Sequence, residues 1–309
     1  MSVFCNLIYW GESICYNLLL KPLIQKRPKY EKKYRISICG MFKNEGPFLK
    51  EWVEYYKIIG IDHLYLYNNN SEDNFLDILQ PYIDEGYITL VNWTKNHAQI
   101  EGYKKCFDTF RNETQWLAFI DLDEFIVPRY SENINEWIKK YEKYPSILIY
   151  WKMFGTNGKM KHDYNKLVTE QYTVCEDGFT KRWGKCIFNT DYDIAYFNEK
   201  THHYTCVYYR ILGLRFRIVP VNVYKHFTIG AIHFRIFENY SKRTIQLNHY
   251  WCKAWDYYEE KRRRTDVFFK DNPKKNLSYF YKDELLNISN DYTIYRFIMK
   301  LKHRLYDIK

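Results

Sequence analysis

The chain is poor in the glycine-rich turns that cradle nucleotides in two large enzyme classes. Neither Gly-x-Gly-x-x-Gly nor Gly-x-x-x-x-Gly-Lys occurs among its 12 glycines. That argues against a dinucleotide-dependent oxidoreductase and against a phosphate-loop motor. None of the eight cysteines forms a Cys-x-x-Cys pair, and several sit inside apolar runs. They read as reduced core residues of an intracellular protein, not as a disulfide framework or a zinc site. No uninterrupted apolar run approaches the roughly 18 residues of a spanning helix. Residues 3–24 are apolar but carry Glu12, Asn6 and Asn17, with no charged segment before them and no small-residue cleavage site. No signal peptide is expected there, and no internal repeat is visible.

Acidic residues are the minority charge, 37 against 47 Lys and Arg, for a net charge of +10. A basic balance favours phosphate-bearing partners or an anionic membrane surface. The basic residues are scattered except at 26–35, 261–264 and 300–304. A nucleic-acid binder would show a concentrated stripe with interleaved aromatics, so no nucleic acid is expected as a partner. The hydrophobic fraction of 46% over 309 residues suffices for one α/β domain with extensions.

Residues 1–24 read as a short amphipathic helix and 26–35 as a basic linker broken by Pro28. From Arg35 onward, strand and helix patterns alternate. Strands are expected at 35–42, 63–67, 87–93 and 116–120, with helices at 47–59, 75–84 and 98–110 between them. This repetition predicts a largely parallel sheet. Each strand stops at a polar cluster: Asn44-Glu45, then Asn68 to Asp73, then Asp121 to Glu124. In open α/β sheets, ligands bind beyond the carboxyl ends of the strands. The second half yields strands at 147–151 and 185–188, a glycine-bearing loop at 153–158, helices at 166–175 and 255–269, and a one-sided basic helix at 292–308. That last helix has the pattern either of a surface helix packed on its own core or of one lying on an anionic membrane.

The stretch Trp116-Leu-Ala-Phe-Ile-Asp-Leu-Asp-Glu-Phe125 draws the most chemistry. An apolar strand has no use for acids at its tip. Asp121 and Asp123 can present oxygens to one hard divalent cation, and Mg²⁺ or Mn²⁺ is usually held by one or two carboxylates plus substrate phosphates. His249 could complete such a shell, and Lys253, Lys185 and Arg182 are candidate cations for a diphosphate.

Taken together, Met41-Phe-Lys-Asn-Glu45, Tyr67-Asn-Asn-Asn-Ser71 with Asp73, the Asp121-x-Asp123 stretch, Trp151-x-x-Phe154-Gly-Thr-Asn-Gly158 and Asn248-His-Tyr250 resemble glycosyltransferase family 92, over about residues 35–260. The resemblance implies an α/β fold of the GT-A type. Its central sheet would be mostly parallel and flanked by helices, with a Rossmann-like nucleotide-sugar-binding half, an acceptor half and a helical C-terminal tail. It also implies a metal-dependent (Mn²⁺ or Mg²⁺), inverting enzyme with a UDP-sugar donor, UDP-galactose above all. The acceptor would be a glycan or lipid-linked glycan of surface-polysaccharide assembly. Carried over by position, Asp123 and His249 would ligate the metal and Asp121 would contact metal or ribose. Asn44, Glu45, Asn69, Asp73 and Gln99 would surround uridine, and Lys253 would neutralise phosphate. Trp151, Phe154, Gly155, Asn157, Gly158, Lys185 and His203 would shape the sugar and acceptor pocket. The inverting reaction needs a carboxylate base; Asp163, Glu170 and Glu176 follow the glycine loop and are its candidates. One departure stands out: Lys253-Ala254-Trp255 lies where the pattern has Lys-Ser and an acidic pair, with Glu259 and Glu260 displaced downstream. The expected organisation is an N-terminal segment 1–34, a catalytic domain 35–260 and a basic helical extension 261–309. The protein would be cytoplasmic, able to sit peripherally at the inner face of the plasma membrane. A nucleotidyltransferase or phosphotransferase is the rival enzyme reading, and a basic nucleic-acid or membrane-binding module the rival non-enzyme reading.

Overall fold

The computed structural model describes residues 3–178, 183–195, 204–228, 243–263, 267, 270 and 276–306. Its centre is a nine-stranded sheet. Strands β1 (Tyr34–Phe42), β2 (His63–Asn68), β3 (Ile88–Asn92) and β4 (Thr114–Phe119) run parallel in the order β3-β2-β1-β4. Helices α2 (Gly46–Ile58), α3 (Phe75–Asp84) and α4 (Gln99–Phe110) make the crossovers, which parallel pairing requires. Strands of a parallel sheet are buried on both faces and therefore read as unbroken apolar runs; all six residues of β2 are buried. Pro47 sits in the first turn of α2, where its missing N–H costs nothing, and Leu49, Trp52, Val53 and Tyr56 turn that helix onto the sheet.

The second half inverts the direction. Strand β8 (Gly184–Asn189) lies antiparallel between β4 and β6 (Ser146–Met153). Strand β13 (Ile245–His249) runs parallel to β6 and antiparallel to β5 (Glu124–Pro128). The two-residue β12 (Val221–Asn222) also pairs with β6. The GT-A expectation, mostly parallel and helix-flanked, holds. Two small sheets flank it. One joins β9 (Asp193–Ile194), β10 (Val207–Ile211) and β11 (Leu214–Ile218); the other joins β7 (Val174–Glu176) to β14 (Asn287–Asn290).

Several sequence expectations change. The helix expected at 166–175 shrinks to α6 (Val168–Gln171), because residues 174–176 pair with β14, which the local pattern does not reveal. The helix expected at 255–269 is α7 (Trp255–Arg263), and 264–266 and 268–269 lie outside the described residues. The N-terminal helix α1 (Val3–Ile14) continues as a π-helical turn, Cys15–Leu20, and a tighter turn, Lys21–Leu23. A short helix α5 (Ile134–Ile138) precedes β6, and α8 (Leu277–Glu284) precedes β14. The terminal helix α9 (Tyr295–Tyr306) turns inward: Phe297, Ile298 and Leu301 are buried, and Phe297 meets Tyr55 of α2 edge-on at 5.7 Å. Among the described residues no helix is long and apolar enough to cross a membrane.

Candidate active site

The carboxyl ends of β1, β2 and β4 bring their polar loops to one edge. Asn44, in a left-handed conformation at φ 54°, donates its N–H to Ser71 Oγ at 3.0 Å and accepts from the Glu72 N–H at 2.8 Å. Asp73 accepts from the Gly46 N–H at 2.7 Å, and the Asn69 amide donates to the carbonyls of Trp93 and Lys95 at 2.7 and 2.8 Å. Glu45 accepts from the Tyr257 hydroxyl at 3.0 Å. Asn44, Asn69 and Asp73 thus tie the loops after β1, β2 and β3 to each other, and any contact with a base would be made by loops already fixed in shape.

The acids of the β4–β5 turn are held differently from one another. Asp121 accepts from Gln99 at 3.0 Å and the Tyr103 hydroxyl at 2.9 Å, both from α4, while Lys185 of β8 lies 2.8 Å from its other oxygen. Lys185 also stands 3.8 Å from Glu124, whose carboxylate accepts the Trp151 indole N–H at 2.7 Å. The Lys185 side chain is fully buried. This corrects its reading as a substrate contact: it lies beneath Asp121 as a counter-charge and positions that acid. Burial acts against ionising Asp121, but Lys185 outweighs it and holds the carboxyl below its ordinary value. Glu124 has no such surplus, and burial pushes its carboxyl well above the usual range.

Asp123 faces the other way. One oxygen lies 3.4 Å from His249 Nε2 at the end of β13; the other lies 2.6 Å from the Lys261 ammonium, which also donates to the Trp251 carbonyl at 3.0 Å. The Tyr250 N–H donates to the Asp123 carbonyl at 2.8 Å and locks the β13 end onto the turn. Burial opposes the Asp123 charge, yet Lys261 and His249 together hold its carboxyl well below the usual range. Burial lowers the His249 imidazole in turn, against the pull of Asp123, which favours the neutral form that ligates a metal. Lys253, also at positive φ (48°), is buried with its ammonium over the Phe48 and Tyr257 rings at 4.2 and 4.0 Å. Its charge contributes to lowering Asp123.

Among the described residues no three His, Cys, Asp or Glu side chains form a group able to hold a metal by themselves. Asp123 and His249 nevertheless present a carboxylate and a neutral imidazole to one point. A Mg²⁺ or Mn²⁺ site completed by diphosphate oxygens asks the protein for little more, so the donor set fits such an ion.

Lys261 was not singled out from the sequence. Its signal was faint: Tyr257 and Lys261 are one helical turn apart, and Tyr257 is buried, so that face of α7 looks inward. Trp151 stacks obliquely on His249 with ring centres 4.7 Å apart, and the Phe154 N–H donates to the His249 carbonyl at 3.0 Å. The glycine loop therefore begins beside the imidazole. Its far side is fastened by Glu284 of α8, which accepts from the N–H and hydroxyl of Thr156 at 3.1 and 2.8 Å, while the Asn157 side chain accepts from the Val174 N–H at 2.8 Å.

The three candidate bases are engaged with other groups. Asp163 pairs with Lys166 at 3.4 Å and accepts from the Asn165 N–H; Glu170 pairs with Lys302 at 2.5 Å. Glu176 is buried and accepts from the Met153 N–H at 3.2 Å. Glu259, the displaced acid of α7, is engaged with Arg262 and Arg263 at 2.7 and 2.9 Å. His203 and Arg182 lie outside the described residues.

Such a sheet, mostly parallel with helices on its flanks, is the GT-A arrangement that the family resemblance implies. The sequence profile of glycosyltransferase family 92 matches residues 32–276, and the chain belongs to that family. A glycosyltransferase family 92 protein of Ricinus communis is 29% identical over 236 residues, which cover 75% of this chain and 38% of the relative. A galactan beta-1,4-galactosyltransferase of Arabidopsis thaliana is 27% identical over 135 residues, 39% of this chain and 27% of the relative. The chain spans well under two thirds of the length of these relatives. Among solved structures, residues 1–349 of TarS from S. aureus are 15% identical, with a TM-score of 0.34 over 50% of this chain and 47% of that one.

Proposed function

We propose that this protein is a glycosyltransferase that moves a hexose, galactose or a close relative, from a UDP-sugar to a hydroxyl of a glycan acceptor, free or lipid-linked, with inversion and with the help of Mn²⁺ or Mg²⁺. The observation that carries the reading is the convergence of Asp123, His249 and Lys261 at the carboxyl edge, from a strand tip, a second strand and a helix distant in sequence. Family membership and the galactosyltransferase among the relatives support it.

In the reaction, the acceptor oxygen bonds to the anomeric carbon as the bond from that carbon to the diphosphate breaks. The acceptor's proton passes to a base, and negative charge builds on the departing diphosphate. A divalent ion held by Asp123 and His249 would neutralise that charge, a Lewis-acid effect largest at the transition state. Lys261 and Lys253 put two further positive charges beside the same point. Asp121, fixed by Gln99, Tyr103 and Lys185, keeps a free edge for the ribose or the ion. Trp151 and the Phe154–Gly158 loop form the wall against which the sugar would lie. The engagements of Asp163, Glu170 and Glu176 leave the base unassigned. We place the reaction in surface-polysaccharide assembly, on the cytoplasmic side of the membrane.

Calorimetric titration with UDP, with and without Mn²⁺, tests the reading on the wild type and on Asp123→Ala. Metal-dependent UDP binding that disappears in the variant is expected. Absence of UDP binding to the wild type under both conditions would remove the proposed donor class.

A further inference from the structure

The structure assigns a membrane-docking face to a part of the molecule remote in sequence from the basic C-terminal helix. That helix is engaged with its own domain: Lys302 with Glu170, Arg304 with Glu54, and its apolar side on α2. The N-terminal segment and the β10–β11 hairpin are another matter. They are nearly two hundred residues apart and lie side by side. The Gln25 N–H donates to the Arg210 carbonyl at 2.9 Å, extending the edge of β10, and the Arg27 N–H donates to the Asp191 carbonyl at 3.0 Å. Tyr16 anchors the segment, buried between the rings of Tyr144 and Phe227 at 5.2 and 5.6 Å.

Tyr16 is the one fully buried side chain of its turn, and what surrounds it points outward. Trp10, Leu18 (70% exposed), Leu19 and Leu23 stand in solvent on the N-terminal segment. On the hairpin, Leu212 (82%), Leu214 and Phe216 do the same, with Leu212-Gly213 forming a two-residue turn in which both residues have positive φ. A soluble surface scatters single leucines; this many exposed apolar side chains on two segments joined through Gln25 and Arg210 mark an interaction site. The occupant is indicated by charge. Lys21 and Lys26 flank the leucines of the first segment, and Arg210, Arg215 and Arg217 occupy the other face of the hairpin, Arg215 lying over the Tyr208 ring at 3.7 Å. Leucine and aromatic side chains on one face of a hairpin, with long cations on the other, match a hairpin that enters an anionic bilayer tip-first. The rings and leucines enter the acyl boundary, and the Arg and Lys stems reach back to the headgroups. A protein partner of ordinary composition would not call for this density of like charge around an apolar tip.

The inference is independent of which sugar the site handles. It is tested by flotation of the full chain with vesicles of phosphatidylcholine alone and of phosphatidylcholine mixed with phosphatidylglycerol. The wild type is expected to float with the anionic vesicles and to remain behind with the neutral ones. Each cation at an anionic surface strengthens binding roughly fivefold, so Arg215→Gln with Arg217→Gln should weaken binding at least about tenfold. Leu212→Glu with Leu214→Glu should abolish it, while Leu285→Glu, an exposed leucine elsewhere, should change nothing. Circular dichroism confirms that each variant is folded. A wild type that stays soluble with anionic vesicles overturns the assignment, and so do hairpin variants that float as well as the wild type. A concentration-dependent dimer that the leucine pair disrupts, without flotation, also overturns it and gives the face to a second copy of the chain.

Discussion

At the residue scale, the acidic turn shows how far side-chain identity carries. Asp121 and Asp123 were legible because an apolar strand ending in acids is chemically out of place in a plain core; His249 stood out through the Asn248-His-Tyr250 match to the family. Lys185 and Lys261 were not legible in their roles. One looked like a phosphate-binding cation and is a buried counter-charge under Asp121; the other looked like part of a solvated basic helix and is bonded to Asp123. Charge alone does not say which carboxylate a lysine meets. The arrangement makes a prediction. The Lys261 ammonium, 2.6 Å from Asp123, opposes any second cation on that carboxylate. Two unit charges 4 Å apart near a protein surface interact by about 4 kcal/mol. Even with most of that relieved by movement of the side chain, Lys261→Met should bind Mn²⁺ at least about tenfold more tightly than the wild type in the absence of nucleotide. Electron paramagnetic resonance of free Mn²⁺ measures this directly. Equal affinities would show that Lys261 has no bearing on metal at Asp123.

At the element scale, the βαβ half was readable throughout and the second half only in part: β6, β8, α7 and α9 fall where the pattern puts them, while other elements do not show in the sequence, for a physical reason. Strands β1, β2 and β4 are buried on both faces and announce themselves as apolar runs, and the helices between them are long enough to show a period. Strands β5, β13 and β14 are short and owe their conformation to antiparallel partners far along the chain. The tightest fit in this half is between β8 and β6. A Cβ on Gly184 would stand 1.8 Å from the Ile149 carbonyl oxygen and 2.9 Å from the Tyr150 Cα. Backbone cannot move aside as a side-chain tip can. Gly184→Ala should therefore part the two strands, displace the neighbouring Lys185, and destabilise the protein by about 2 kcal/mol or more. Gly158 offers the contrast: its φ is +69° but nothing crowds it, so Gly158→Ala meets only the left-handed backbone penalty of about 1–2 kcal/mol. Urea unfolding of the two variants side by side checks the ranking. A Gly184 variant as stable as wild type would show that β6 and β8 can yield at this point.

At the scale of the whole molecule, the folded unit is larger than the family signature. The family profile ends at residue 276, inside the basic helical extension expected at 261–309. Yet residues 276–306 are built into the rest. Strand β14 pairs with β7, Glu284 fastens the glycine loop through Thr156, and Asp291 accepts from Gln246 at 3.1 Å beneath β13. Phe280, Ile294, Phe297, Ile298 and Leu301 are all buried. At about 1.5–3 kcal/mol for each large apolar side chain, their burial amounts to something on the order of 10 kcal/mol, comparable to the roughly 5–15 kcal/mol by which an entire domain is stable. A chain ending before Leu277 would lose that contribution and expose the α2 face that α9 covers. It should fail to reach the native state, giving an aggregated product or one without a cooperative urea transition. If the chain ending at 276 unfolded cooperatively and bound UDP as the full chain does, the C-terminal elements would be an accessory layer and the catalytic domain would end with the family signature. The buried surface of α9 and the Glu284 tie to the glycine loop point the other way: the last thirty residues complete the core and hold one wall of the site.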